Sequence, residues 1–300
     1  VIRAAALALS LTALAAVGFW PPARMAAFYL SGRASHCPWQ AVREAPSRPE
    51  LLRRTKDEIL AASKRMAEDG KFVQFATPDG LYWIPKGSEF VLPFNLAEQR
   101  LDLYSQGDVH VKPGDVVLDC GANVGVFTRK ALRAGARTVV AIEPAPENIE
   151  VLRRNFRDEI AKGQVIVYPK GVWFKDDMLV LHVHPHNSAA DSFVLEQKGS
   201  HASDQKLPLT TIDKLVAELR LSKVDFIKMD IEGAEVKALI GAQQTLAAYR
   251  PRLALSAYHV PDHPVEIPKA VRRGWDGYRM ECGPCADAGW YVRPDVLFFY

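Results

Sequence analysis

The sequence predicts an α/β fold: an open, mostly parallel sheet with helices on both faces, preceded by a helix-and-hairpin extension. Three observations carry that reading. Residues 116–128, V-V-L-D-C-G-A-N-V-G-V-F-T, pass from an apolar run through Asp119 and a glycine turn into a helical pattern. Further short apolar runs at 138–142 and 224–229 alternate with helical patterns, the rhythm of β–α–β units. Each of these runs ends in an acid: Asp119, Glu143 or Asp230. Carboxylates at the carboxyl ends of parallel strands face the crevice where open α/β sheets bind ligands.

Composition sets the outer bounds. The chain has 300 residues, 48% apolar and 24% charged, as ordinary globular proteins do. A net charge of +3 is too mild to require nucleic acid as a partner. Four cysteines, Cys37, Cys120, Cys282 and Cys285, make no disulfide framework and suit a reducing compartment. The amino end is unusual. Residues 4–20 carry no charge, are rich in Ala and Leu, and stop at Pro21-Pro22. As a helix they would span roughly 25 Å, against a hydrocarbon core of ~30 Å. Membrane association through residues 4–20, as an uncleaved anchor, is the expectation. A signal peptide cleaved near Ala13-Leu14-Ala15 and a buried or amphipathic helix are the alternatives. The expected organisation is 1–30 as anchor or signal segment, 31–106 as linker, helix and hairpin extension, and 107–300 as the main domain.

Taken in order, residues 31–47, with Pro38 and Pro46, read as an irregular linker. Residues 49–69 set Leu51, Leu52, Ile59, Leu60, Ala62 and Met66 among charges, a surface helix stopped by Gly70. A hairpin follows at 71–86, with Pro78-Asp79-Gly80 as its turn. A short helix is expected at 96–104. Then come a helix at 124–134, a strand at 138–142, a helix at 146–157 with proline in its first turn, and a strand at 164–168. Residues 171–184 read as an antiparallel excursion and 187–207 as a polar loop. A helix at 211–219 is capped by Thr210 or Thr211. A strand at 224–229, a helix at 235–249 and a strand at 252–258 follow. A helix to about 273 and strands near 278 and at 296–300 complete the chain.

The chemistry starts at the glycine turn. A dinucleotide-binding turn reads G-x-G-x-x-G, its middle glycine admitting a pyrophosphate. Gly121-Ala122-Asn123-Val124-Gly125 lacks that glycine. Asp119 at the strand end would repel a pyrophosphate and attract an ammonium or a sulfonium. The sign favours S-adenosylmethionine over NAD, leaving an NAD-dependent oxidoreductase as the alternative. The structural reading of Asp119 is a cap on helix amides. Glu143 suits ribose hydroxyls in either cofactor. The stretch Lys228-Met229-Asp230-Ile231-Glu232-Gly233-Ala234-Glu235 again closes a strand and opens a helix. Asp230 and Glu232 can orient a hydroxyl, bind a hard divalent cation such as Mg2+, or raise one another's pKa for base catalysis. Glu235 reads as an acid that stabilises the helix dipole.

These stretches, V-L-D-C-G-A-N-V-G, A-I-E-P with Asn148 downstream, T-T-I-D-K-L and V-D-F-I-K-M-D-I-E-G-A-E, resemble the FkbM-type S-adenosylmethionine-dependent methyltransferases over about residues 114–258. The resemblance implies a Rossmann-like class I sheet of seven strands. It also implies O-methylation of a small-molecule acceptor, a hydroxyl on a sugar, lipid or secondary metabolite. By that resemblance Asp119, Gly121, Asn123 and Gly125 hold the methionine end of the cofactor, Glu143 holds its ribose, and Asp230 and Glu232 face the reaction. S-adenosylmethionine is a cytosolic metabolite, so the anchor reading sets the catalytic domain on the cytosolic side and argues against export after signal cleavage. A non-catalytic, membrane-tethered cofactor-binding module is the remaining alternative.

Four further features stand apart from those motifs. His259, after Tyr258, stands where many relatives carry an acid. It reads as a general base, as a metal ligand beside Asp230, or as a structural hydrogen bonder. His182, His184 and His186 share a strand face at period two, which suits a metal or a solvated edge. Residues 187–192 are expected to border the acceptor cleft. Cys282-Gly283-Pro284-Cys285 has thioredoxin-like spacing but falls in a late loop, where free thiols or an incidental disulfide fit better than redox catalysis.

Overall fold

The computed structural model describes residues 20–300 apart from 35, 185 and 197. Its centre is a seven-stranded sheet in the order Met280–Cys282, Val296–Phe299, Arg252–Ser256, Phe226–Met229, Val116–Cys120, Thr138–Ile142, Val165–Tyr168. The last five are parallel; Val296–Phe299 runs antiparallel to both its neighbours, which leaves Met280–Cys282 at the edge parallel to the five. The chain runs outward from Val116–Cys120 to Val165–Tyr168, then returns to lay Phe226–Met229 on the opposite flank. The winding therefore reverses between Val116–Cys120 and Phe226–Met229, the switch point at which such sheets open a crevice. Met229 pairs with Cys120, so Gly121 and Asp230 emerge side by side there.

The strands read as continuous apolar runs because both sheet faces are covered. Leu118, Val140, Ile227 and Leu253 pack into one core cluster with Leu215, Leu239 and Ile267 of the flanking helices. Val117, Val139, Phe226 and Ala254 point the other way, against Phe127 and Ala131. Thr211 caps the helix Ile212–Glu218 as expected, its hydroxyl accepting from the Lys214 amide.

Four elements differ from expectation. The helix read at 49–69 is the helix Arg48–Ala61 followed by the strand Lys64–Asp69, which pairs with Phe72–Thr77. Every residue of that strand is exposed, so no apolar face holds it as a helix, and the free edge of the hairpin pairs with it instead. The helix read at 96–104 is Val91–Arg100. The helix read at 235–249 breaks into Glu235–Ile240 and Gln243–Tyr249. Asp213 causes the restart, its carboxylate accepting from the amides of Gln244 (3.1 Å) and Thr245 (2.8 Å). The polar loop read at 187–207 contains the start of the strand His201–Thr210, paired with Asp177–Val183.

The amino-terminal extension is fused to the domain. Asn155 imitates a strand partner for Trp83, accepting from its amide (2.6 Å) and donating to its carbonyl (3.0 Å) and to that of Val124 (2.9 Å). Residues 31–47, read as linker, include the helix Trp39–Glu44. Met25, Phe28 and Val42 join the main core beside Cys285 and Val292. A Cys37–Cys285 disulfide, closing 248 residues, locks that contact. This corrects the expectation of a chain without structural disulfides. Cys285 has its partner across the molecule, while Cys282 and Cys120 are buried thiols.

The membrane expectation is also corrected. Among the described residues no helix is long and apolar enough to cross a membrane. The helix Pro21–Leu30 has ten residues and buries Met25 and Phe28 in the protein core. The anchor and its cytosolic-side placement are therefore not supported. Residues 4–19, where the span was read, lie outside the described residues.

Candidate active site

A cleft of about 320 Å³ opens at the switch point, a volume in the range of small-molecule sites. Gly121, Ala122 and Asn123 of the glycine turn line it with Glu143, and Tyr104, Asp230, Glu232 and Tyr258 line it beside them. The helix Val91–Arg100 adds a wall of Phe94 and Glu98. The strap of residues 187–192 borders the cleft, as expected, through Asn187, Ser188, Ala189 and Asp191.

The glycine turn is built for close approach. Gly121 has φ 79°, and a Cβ there would overlap the Asp230 carbonyl. Asn123, at φ 49°, donates its amide to Glu143 Oε2 (2.9 Å) and its side-chain Nδ2 to the Ser188 carbonyl (3.0 Å). Glu143 Oε1 accepts from the Ala145 amide (3.0 Å), so this carboxylate ties the turn to the next helix. Burial raises the Glu143 pKa against those hydrogen bonds. Asn123 Oδ1 is buried without a hydrogen-bond partner. Gly125 sits behind the turn, where a side chain would strike Phe156.

Asp119 departs from its expected position. The strand runs one residue further, to Cys120, which turns the Asp119 side chain away from the cleft and towards the helix Val126–Arg133. It is fully buried, accepts from Thr128 Oγ1 (2.7 Å) and lies 3.2 Å from Lys228 Nζ. Its charge is answered inside the protein, so the sulfonium argument does not apply to this residue. Lys228 also donates to the Gly121 carbonyl (2.8 Å). Burial opposes the lysine's charge, but Asp119 and Asp230 outweigh it and raise the pKa.

Beside the turn, acids gather around His259. Its Nδ1 lies 2.9 Å from Glu235 Oε1, and its Nε2 lies 3.3 Å from both Asp230 Oδ1 and Glu232 Oε1. Burial works against an imidazolium there, yet Glu235, Glu232 and Asp230 raise its pKa well above the usual value. Burial would raise Asp230, but His259, Lys228 and the Tyr104 hydroxyl (2.7 Å) bring it below the usual range. Glu232 goes up, chiefly through burial and with Asp230 and Glu235 adding repulsion. Glu232 also holds φ 52°, a left-handed backbone state uncommon for residues with side chains.

Sequence reasoning united Asp230, Glu232 and His259 only in part. It missed that Glu235 is fully buried and orients His259 rather than merely starting a helix. It missed Tyr104 and Glu98, which reach the cleft from the extension. Burial, with Asp230 next in weight, pushes the Glu98 carboxyl up to about 8. No local pattern marks either residue, because each acquires its neighbours only by packing. His182, His184 and His186 do not bring ligand atoms together; among the described residues the two such groups both contain His259.

A Rossmann-like sheet with this glycine turn and an acid-lined cleft at its switch point defines a class I methyltransferase fold. The family model for the methyltransferase FkbM domain matches residues 119–275, just over half of the chain, and the protein belongs to that family. The 31-O-demethyl-FK506 methyltransferase FkbM of Streptomyces tacrolimicus is 28% identical over 166 residues, covering 47% of this chain and 64% of its own. Methyltransferase 1 of Beauveria bassiana is 28% identical over 153 residues, 45% and 61% of the two chains. The chain thus spans somewhat under two thirds of the length of these relatives. The solved FkbM methyltransferase of Methylobacillus flagellatus is 18% identical, with a TM-score of 0.49 over 87% of this chain and 60% of its own.

Proposed function

We propose that this protein transfers a methyl group from S-adenosylmethionine to a hydroxyl oxygen of a small, non-anionic acceptor. The observation that carries the reading is one continuous cleft from the glycine turn to Asp230 and Glu232. Gly121, Asn123 and Glu143 would hold the cofactor. The buried, unpartnered Asn123 Oδ1 suits a ligand that brings hydrogen-bond donors. Asp119 and Gly125 shape the turn from behind. When bound, the cofactor supplies a methyl group on a positively charged sulfur.

At the acceptor end, Asp230 and Glu232 front the cleft and His259 does not. An acceptor hydroxyl would hydrogen-bond to one of these carboxylates, which takes its proton as the new O–C bond forms and the S–C bond breaks. His259 and Tyr104 act as positioning residues, fixing the two carboxylates. Aligning two bound reactants is worth ~7–11 kcal/mol in favourable cases. The cleft disfavours an anionic acceptor because Glu98, Glu143, Asp191, Asp230 and Glu232 line it, while its one described cation, Lys228, is committed to Asp119. The Streptomyces relative's name specifies methylation at an oxygen of its own substrate, which supports a hydroxyl acceptor here.

Titration calorimetry with S-adenosylmethionine and with NAD tests the cofactor assignment. Binding of the former is expected, and binding of NAD alone would overturn it. A methyl-donor assay over a panel of hydroxylated metabolites, read by product mass spectrometry, tests the acceptor class. Methylation confined to amines or to phosphorylated compounds would sink the hydroxyl reading.

A further inference from the structure

We infer a divalent-cation site formed by Asp230, Glu232 and His259 at the acceptor end of the cleft, with Glu235 orienting the imidazole. The inference rests on the methyl-transfer reading for its purpose but not for its geometry. One donor atom from each of the three residues lies within 4.8 Å of the others. His259 Nε2 stands 3.3 Å from an oxygen of each carboxylate. Neighbouring ligands around an octahedral ion with bonds of ~2.1 Å are about 3 Å apart, so small adjustments would admit one.

The second observation is the imidazole itself. The His259 side chain is 3% exposed, and its Nε2 makes no well-formed hydrogen bond. A buried nitrogen in that condition, aimed between two carboxylates, is a donor awaiting an acceptor or a ligand awaiting an ion. Nδ1 is already taken by Glu235 Oε1, which the Ile231 amide (3.0 Å) holds in place. A carboxylate on the far nitrogen of a histidine is the arrangement that orients a metal-bound imidazole.

Charge points the same way. Among the described ion pairs, Asp119, Asp230, Glu232 and Glu235 meet Lys228 and His259, four acids to two cationic groups, while the other partner of Glu235, His263, has its pKa lowered by burial. A divalent ion would answer the excess, and its open positions would face the cleft through Asp230 and Glu232. Mixed carboxylate and imidazole ligands suit Mn2+ or Fe2+ better than Mg2+, which prefers oxygen ligands alone. An acceptor hydroxyl bound there, with a second oxygen beside it, would be held as a chelate. The acceptor class is therefore a vicinal diol or a hydroxyl next to a carbonyl. The competing group, Glu235, His259 and His263, has no cleft access, since Glu235 and His263 are both fully covered.

Mn2+ is the probe. Full-length protein stripped with EDTA and dialysed is titrated with MnCl2, following free Mn2+ by electron paramagnetic resonance. One bound equivalent is expected. Asp230→Asn and Glu232→Gln should each weaken binding at least tenfold, and Glu235→Gln 10–100-fold through His259, with unchanged circular dichroism spectra. No binding, or binding indifferent to all three substitutions, would overturn the site. S-adenosylmethionine calorimetry on the same samples separates the two claims. Cofactor binding without Mn2+ binding removes the metal and leaves methyl transfer standing. Mn2+ binding without cofactor binding does the reverse.

Discussion

At the scale of single residues, position relative to the strand end decides role. Asp119 and Asp230 both sit near the ends of neighbouring parallel strands, yet Asp119 lies within its strand and Asp230 one residue beyond. In register Asp119 stands opposite Lys228, two positions short of Asp230, and this buries it against Thr128 and Lys228, while Asp230 faces the cleft. Asp119→Asn should therefore act on stability, because it leaves the Lys228 ammonium buried without its counter-charge. Loss of one member of a buried pair costs about 3–5 kcal/mol. Urea unfolding should show a lower midpoint, and an unchanged one would contradict the pairing. The identities of Asp230 and Glu232 were legible from the acid-rich end of the strand. The His259–Glu235 contact was not, because it joins a strand end to a helix start across 24 residues by packing alone.

At the scale of elements, strands buried on both faces were legible and edge elements were not. Residues 138–142 declare themselves by apolar composition, and the strand Thr138–Ile142 is where it was read. The strand Lys64–Asp69 carries no such signal, since hydrogen bonding to a neighbour holds it. The strap bordering the cleft supplies a pH test. Asp191 accepts from the His184 amide (2.8 Å), but burial first, then Glu143 and Glu147, push its carboxyl up to about 8. An acid raised in the folded state binds its proton more tightly there than in the unfolded chain. Its favourable contribution is full below pH ~4 and is lost as pH rises through about 8. Thermal melts from pH 5 to pH 9 should show the wild type losing more stability than Asp191→Asn. Parallel curves would refute the assignment.

At the scale of the whole molecule, the two ends of the described chain are joined. The arm containing Met25, Phe28 and Val42 packs beside Cys285 and Val292, and Cys37–Cys285 closes the contact. The link restricts the unfolded chain, an effect typically worth about 2–4 kcal/mol. Cys285→Ser should lower the thermal midpoint and make it insensitive to reductant, while wild type shifts on reduction. Cys282 is a buried thiol with its pKa pushed up by that burial, so Cys282→Ser should keep the wild-type response to reductant. Equal reductant response in wild type and Cys285→Ser would remove the disulfide from the account.

The sequence by itself determined the α/β class, the strand–turn–helix at residues 116–128, the family, and the acids that end the central strands. Those are local properties: a run of apolar residues, a glycine where a side chain would collide, an acid at a fixed offset. Tertiary structure alone decided which of the acids reach the cleft, that Glu98 and Tyr104 join them from the extension, and that Cys37 meets Cys285. Each of those depends on which surfaces come together when the sheet winds in both directions from its centre, and no short stretch of chain encodes that meeting.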